Sequence, residues 1–159
     1  MKTKLLPLLV VLIFFASCKD VEEISPNLRL QGFYEQTLQA TSQTGEVQYD
    51  LINHFIFNAD GTFSREDVTL NRGGDVVLGF RASYQGNYQV KDQVATLTYT
   101  DPLMMNVADI YYVGKEDLTI MEGTFTTEFY VSDDYSELSY KCPDNARCAQ
   151  PIPFVRIVE

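Results

Sequence analysis

The sequence has no tryptophan, a single histidine and three cysteines, and its acidic residues outnumber its basic ones by 22 to 12. With one histidine and no Gly-x-Ser-x-Gly motif, the chain lacks the paired nucleophile and base of a catalytic triad. The shortage of histidine also leaves too few ligands to close a zinc tetrahedron. The net charge of −10 and the lack of a Lys/Arg cluster argue against nucleic acid as a partner. We therefore expect a protein that is not an enzyme and that carries no cofactor or metal.

Two pairs of neighbouring acidic residues, Glu66-Asp67 and Asp133-Asp134, are the remaining candidates for acid–base chemistry. Glycoside hydrolysis requires two carboxylates about 5 to 9 Å apart across a cleft. Adjacent residues of a strand point to opposite faces, and the second pair falls in a predicted turn. Neither pair therefore predicts an active site.

The longest apolar run, Leu5 to Phe15, stands near the N-terminus behind two lysines. A charged segment, an apolar segment and then small residues form the pattern of a secretory signal peptide, and this run is too short for a bilayer-spanning helix. The following Ala16-Ser17-Cys18 resembles the lipobox of bacterial lipoproteins, whose cysteine carries diacylglycerol and becomes the new N-terminus. The resemblance implies removal of residues 1–17 and lipidation of Cys18, with palmitate-type acyl chains as the anchor. An ordinary secretory signal with an incidental cysteine is the alternative.

The segment after this cysteine, Lys19-Asp20-Val21-Glu22-Glu23, resembles the export signal that sends lipoproteins of Bacteroidota-type bacteria to the outer face of the outer membrane. A solvated acidic tether is the alternative, and Val21 interrupts the acidic run. The expected location is the outer membrane, lipid-anchored at the cell surface, and a periplasm-facing position is the alternative. The chain thus divides into a signal peptide (1–17), a lipidated cysteine with its tether (18–27) and one domain (28–159).

From Leu28 onward, short segments rich in Val, Ile, Tyr, Phe and Thr alternate with turn-forming clusters at intervals of about ten residues. No part of this region keeps a helical period for three turns, and residues 101–108 are the least strand-like. About eight to ten consecutive antiparallel strands must protect their edges, and closure into a barrel does so. We predict an all-β, antiparallel up-and-down meander that forms a barrel, with a β-sandwich as the alternative. The predicted strands are residues 30–40, 47–58, 62–71, 76–84 continuing as 86–90, 94–100, 109–113, 118–122, 126–132, 137–141 and 152–158.

Three motifs in this region resemble those of lipocalin-like domains found in bacterial lipoproteins. Gly32-Phe33-Tyr34 stands in the place of the Gly-x-Trp that opens many lipocalins, and Asp60-Gly61-Thr62-Phe63 and Gly86-Asn87-Tyr88 follow it. The resemblance implies an up-and-down barrel that can enclose an apolar ligand. It also implies that Tyr34 fills the place of the indole at the barrel base and that Arg156 lies across its ring in a cation–π contact. A solvent-facing Arg156 is the alternative.

Tyrosines on predicted strands are the main candidates for ligand contact, because a tyrosine combines an apolar ring with a polar tip. The chain has ten tyrosines and ten phenylalanines. Packing of these rings into a core without a ligand is the alternative. The lone histidine stands on a mostly apolar strand face and is interpreted as a core or lining residue. The candidate ligand-binding residues are Tyr49, His54, Tyr84, Tyr88, Tyr99 and Tyr112.

The other two cysteines, Cys142 and Cys148, are close in sequence and are expected to form a disulfide in an exported protein. So short a loop gains only about 2 kcal/mol from the cross-link, so its expected use is to hold a projecting loop between two strands.

Taken together, the sequence favours a membrane-anchored extracytoplasmic binding protein that holds a small apolar or amphipathic ligand in a β-barrel. The alternative is a surface interaction module without enzyme activity or an internal ligand, such as an accessory subunit, an adhesin or an inhibitor. In that alternative the disulfide loop contacts a surface protein partner.

Overall fold

The structure is a computed structural model that describes residues 24–109, 111–149 and 151–158. Cys18, the predicted signal peptide and most of the predicted tether lie outside the described residues. Within the described ranges there are ten strands, one short α-helix and one turn of 3₁₀ helix. These are α1 (Pro26–Leu30), β1 (Gly32–Thr41), β2 (Val47–Phe57), β3 (Thr62–Asn71), β4 (Val77–Lys91), β5 (Val94–Thr100), β6 (Leu103–Met104), the 3₁₀ turn (Lys115–Asp117), β7 (Thr119–Ile120), β8 (Thr124–Val131), β9 (Glu137–Tyr140) and β10 (Phe154–Ile157).

Eight of the strands close into an antiparallel barrel. Strands β1 to β5 pair in sequence order, β5 then pairs with β8, and β8, β9 and β10 follow in order. Strand β10 returns to β1, with Tyr34 opposite Arg156, and this pairing closes the cylinder. The short strands β6 and β7 form a hairpin beside β4, with Met104 opposite Ala82. The prediction of an all-β antiparallel barrel is therefore confirmed, and the sandwich alternative is not what forms.

Aromatic rings fill the centre of the barrel. Period-two alternation along β2 turns Phe55 and Phe57 inward, and both side chains are essentially inaccessible to solvent. The ring centroid of Phe55 lies 5.2 Å from that of Phe57, 5.9 Å from that of Phe63 and 4.8 Å from that of Phe154. Each pair is within the range at which aromatic rings attract one another beyond simple burial.

Helix α1 closes one end of the barrel. It begins at Pro26 behind the Ser25 side chain, which accepts a hydrogen bond from the Leu28 amide. Leu30 is fully buried under the strands. Asn27 fastens the helix to β4, because its side-chain oxygen accepts from the Val90 amide at 2.8 Å and its carbonyl accepts from the Tyr88 hydroxyl at 3.0 Å. Pro26 and Asn27, which the sequence analysis placed in the tether, are thus part of the folded domain.

The observed strands differ from the predicted ones at three places. The predicted break at residue 85 does not occur, and β4 runs unbroken through it. Residues 109 and 111–113 form no strand; Val113 makes only an isolated bridge to Phe80, since the nearby tyrosines pack their rings instead of extending the sheet. Residues 101–108, the least strand-like on sequence grounds, contain β6. No helix within the described ranges has the length and apolarity needed to cross a membrane.

The segment between β9 and β10 carries a disulfide bond between Cys142 and Cys148, as predicted. The two Cα atoms lie 5.9 Å apart, and residues 144–149 are exposed. The bond therefore closes a small loop that projects from the barrel between two of its strands.

Candidate functional site

A cavity of about 480 Å³ occupies the end of the barrel away from α1. Strand β4 runs between the two ends of the barrel. Its Tyr88 contacts α1 at one end, and its Tyr84 lines the cavity at the other. The barrel thus has a closed end and an open end. The lining residues are Gln36, Arg65, Tyr84, Tyr99, Pro102, Met104, Met121, Phe125, Thr127, Phe129, Tyr140 and Phe154.

The rim of the cavity is apolar and solvent-accessible. Met121 is 45% exposed and Phe125 is 41% exposed. Met104 of β6 joins them, so the hairpin beside β4 builds one side of the mouth. Methionine side chains are flexible and polarizable, and they adapt to apolar ligands of different shape.

Arg65 lines the cavity and forms an ion pair with Asp67, which lies next to it on the same strand face. The Arg65 Nε donates to Asp67 Oδ1 at 2.7 Å, and an Arg65 terminal nitrogen donates to Oδ2 at 2.9 Å. The Arg65 side chain is 18% exposed and that of Asp67 is 7% exposed. The guanidinium carbon also lies 5.0 Å from the ring centroid of Tyr84 and 5.4 Å from that of Phe154. Burial lowers the pKa of Arg65, but the charge and hydrogen bonds of Asp67 outweigh it, so the net shift of that pKa is upward.

A chain of hydrogen bonds connects this wall to a second arginine. The Asn53 amide nitrogen donates to the Gln36 side-chain oxygen at 2.8 Å, and the Gln36 amide nitrogen donates to the Ile152 carbonyl. Arg81 donates to the Asn53 side-chain oxygen and, at 3.1 Å, to the Ile52 carbonyl. Burial is the main cause of a lowered pKa at Arg81. Its Nε is buried and has no hydrogen-bond partner among the described residues.

Two of the six candidate tyrosine and histidine residues line the cavity, namely Tyr84 and Tyr99. Burial raises the pKa of both hydroxyls, so both remain protonated at neutral pH and can donate hydrogen bonds. Tyr88 lies at the closed end instead, where its hydroxyl donates to Asn27 and to the Asn58 carbonyl at 2.7 Å.

The other three candidates lie away from the cavity wall. Tyr49 packs its ring 4.9 Å from that of Tyr111 and 6.1 Å from that of Tyr112. His54 faces outward because it alternates with the inward-facing Phe55; its Nε2 lies 3.8 Å from a Glu66 carboxylate oxygen. These positions give Tyr49 and Tyr112 a packing role beside β4 and leave His54 on the outer surface.

Tyr34 and Arg156 meet at the closed end of the barrel. Tyr34 is fully buried, and its hydroxyl donates to the Tyr135 carbonyl at 2.8 Å. The Arg156 guanidinium carbon lies 5.5 Å from the Tyr34 ring centroid, and the guanidinium donates to the Gln31 carbonyl. The contact ties β1 to β10 where the cylinder closes.

The burial of Tyr34 predicts a loss of stability at alkaline pH. Burial raises the pKa of this hydroxyl from 10.0 to about 12, although the charge of Arg156 lowers it in part. Between these two pH values the unfolded chain releases a proton that the folded chain keeps. The free energy of unfolding therefore falls as pH rises, by up to about 1.4 kcal/mol per pH unit. Urea unfolding at about pH 8 and about pH 11 is expected to show a smaller loss in Tyr34→Phe than in the wild type. Tyr130→Phe, at an exposed position, is the control; an equal loss in Tyr34→Phe and the wild type would contradict the prediction.

Sequence reasoning missed most of the cavity wall. The candidates predicted from the sequence do not include Arg65, Gln36 or the methionines of the wall. The available signal was the alternation of Phe63, Arg65 and Asp67 on one face of β3, which places an Arg-x-Asp pair on the same side as a core phenylalanine.

No family model, curated protein or solved structure matches this chain. Its class is therefore defined by geometry alone. The described residues form an eight-stranded antiparallel β-barrel with one end closed by a helix and the other open on an aromatic- and methionine-lined cavity.

Proposed function

We propose that this chain is a membrane-anchored, extracytoplasmic binding protein of lipocalin-like type that holds a small amphipathic ligand in the open end of its barrel. The observation that supports this function best is the cavity of about 480 Å³. Ligand pockets commonly have volumes of roughly 300–1,000 Å³ and are lined by apolar side chains with a few placed polar groups. The cavity wall has this composition, with Met104, Phe125 and Phe129 beside the hydroxyls of Tyr84 and Tyr99.

The location is part of the same proposal. The lipobox-like Cys18 would carry the acyl chains, and the acidic segment after it favours the outer membrane and its outer face. A binding protein tethered there can capture an amphipathic molecule from the surroundings of the cell. We propose no catalytic step, because the cavity wall brings together no nucleophile with a base among the described residues.

Filling the cavity with an indole is the direct test. Thr127 lines the cavity and Thr126, its neighbour in β8, is exposed, so Thr127→Trp and Thr126→Trp are a matched pair. Each variant also gains the chain's one tryptophan, which serves as a fluorescent reporter. We expect the protein starting at Lys19 to retain decanol or decanoate in native mass spectrometry. Thr126→Trp is expected to bind like the wild type, and Thr127→Trp to lose at least about tenfold in affinity because the ring occupies the ligand's space.

Two results would count against the proposal. One is the absence of any bound amphiphile in the wild type. The other is equal binding by both tryptophan variants, which would place the amphiphile outside the barrel.

A further inference from the structure

Arg65, which lines the open end, belongs to a partly buried cluster with Asp67 and Arg81 that carries more positive than negative charge. Arg65 and Arg81 each bear a permanent positive charge, and Asp67 is the carboxylate that acts on both of them. One positive charge is therefore in excess in a partly buried cluster, while the protein as a whole has a net charge of −10. Charges interact more strongly in such a low-dielectric interior than on the surface.

At this wall the side-chain acceptors of Asp67 and Gln36 are occupied, whereas guanidinium N–H groups of Arg65 remain to donate. Both carboxylate oxygens of Asp67 accept hydrogen bonds from Arg65. The Arg65 guanidinium has five N–H groups, so others remain available to a ligand. The Gln36 amide is occupied on both sides, by Asn53 and by the Ile152 carbonyl. The protonated hydroxyl of Tyr84 is a further donor, and that of Tyr99 lies beside it, where it interacts with Thr127 and Arg65.

We infer that the ligand of this cavity is an anionic amphiphile, with an apolar tail against the methionine and phenylalanine rim and a carboxylate or phosphate head group at Arg65. This inference rests on the proposed function and adds the charge of the ligand to it. The head group neutralises the excess positive charge of the cluster and accepts hydrogen bonds from the guanidinium and the tyrosine hydroxyls. The tail covers the exposed side chains of Met121 and Phe125.

The position of the arginine relative to the rim supports this orientation. Arg65 is held in place from both sides, by the two hydrogen bonds to Asp67 and by the rings of Phe55, Tyr84 and Phe154. A side chain fixed in this way loses little further freedom when an anion binds, so more of the interaction contributes to affinity.

The test compares four ligands with the same decyl chain, namely decanoate, decyl phosphate, decanol and decylamine. Calorimetry on the wild-type protein starting at Lys19 is expected to give decanoate or decyl phosphate at least about tenfold tighter binding than decanol, and decylamine the weakest binding. The wild-type comparison needs no variant and so does not depend on the folding of one. Which of the two anions binds more tightly identifies the head group.

Two variants locate the effect. Arg65→Met combined with Asp67→Leu replaces both partners of the ion pair by apolar side chains, and its preference for anion over alcohol is expected to fall to about one. Arg29→Met is the matched control, because Arg29 also lies over an aromatic ring, 4.1 Å from the Tyr135 centroid, but at the closed end. It is expected to keep the wild-type preference.

The outcomes separate the two proposals. Equal affinity of the wild type for decanoate, decyl phosphate and decanol, or tightest binding of decylamine, would overturn the anionic ligand while leaving the binding function intact. A preference that persists in the double variant would remove Arg65 from the site. Failure of all four amphiphiles to bind would overturn the binding function itself.

Discussion

Replacing Gly86 with alanine is expected to abolish stable folding. A Cβ at this position would lie 1.9 Å from the Thr98 carbonyl oxygen of β5 and 3.1 Å from the Phe63 ring. The first of these is a backbone atom of the paired strand. The clash can therefore be relieved only if β4 and β5 move apart and lose their pairing. We expect a loss of about 4 kcal/mol or more in the free energy of unfolding, a large part of the stability of a typical domain. Circular dichroism during heating and the yield of soluble protein measure it.

Gly114→Ala is the matched control for this change. There the nearest atom to a new Cβ is the Glu116 carboxylate oxygen at 2.6 Å, which belongs to the flexible end of a side chain and can rotate away. The melting temperature is expected to stay close to that of the wild type. If Gly86→Ala melts as the wild type does, the close approach of β4 to β5 is not a requirement of the fold.

Replacing Asp67 with alanine is expected to have the second largest effect. The change removes the partner of a guanidinium that is only 18% exposed and surrounded by rings. Breaking a buried ion pair from one side costs about 3–5 kcal/mol, because the remaining charge is left uncompensated. Urea unfolding monitored by circular dichroism gives the value directly.

The double variant Arg65→Met with Asp67→Leu distinguishes an uncompensated charge from lost packing. Removing both charges eliminates the desolvation cost of each, so this variant is expected to be more stable than Asp67→Ala although it carries one more substitution. If it is less stable than Asp67→Ala, the ion pair itself, and not the orphaned arginine, provides the stability.

The fold could be predicted from local features of the sequence. The alternation of apolar and polar residues in β2 specifies a strand, and the turn around Gly61 specifies where that strand ends. A series of such hairpins leaves two exposed edge strands, and closure into a barrel pairs them. Helix α1 was missed because five residues are too few for a helical period, and it is held by contacts to β4 that are distant in sequence. The strand predicted at residues 109–113 rested on aromatic residues that pack against Tyr49 instead.

Only some of the residues that line the cavity could be predicted from the sequence. Tyr84 and Tyr99 could be chosen because tyrosines on strands are common at binding sites, but the same reasoning also selected Tyr88, which lies at the other end of the barrel. Which end a strand residue occupies depends on the register between strands. At β3 and β4 that register shifts between Asp67 and Val68, and Arg81 reaches the Asn53 side chain from there. A shift of this kind leaves no mark in composition or period.

The place where the chain enters the barrel would affect how the proposed binding protein captures its ligand. Residues 24 and 25 lead into α1, which covers the closed end, whereas Met121 and Phe125 mark the mouth at the other end. In the proposed lipid-anchored protein, the N-terminal segment would therefore join the barrel at its closed end, opposite the mouth. A ligand of that protein would then reach the cavity from the side of the barrel that faces away from the point of attachment.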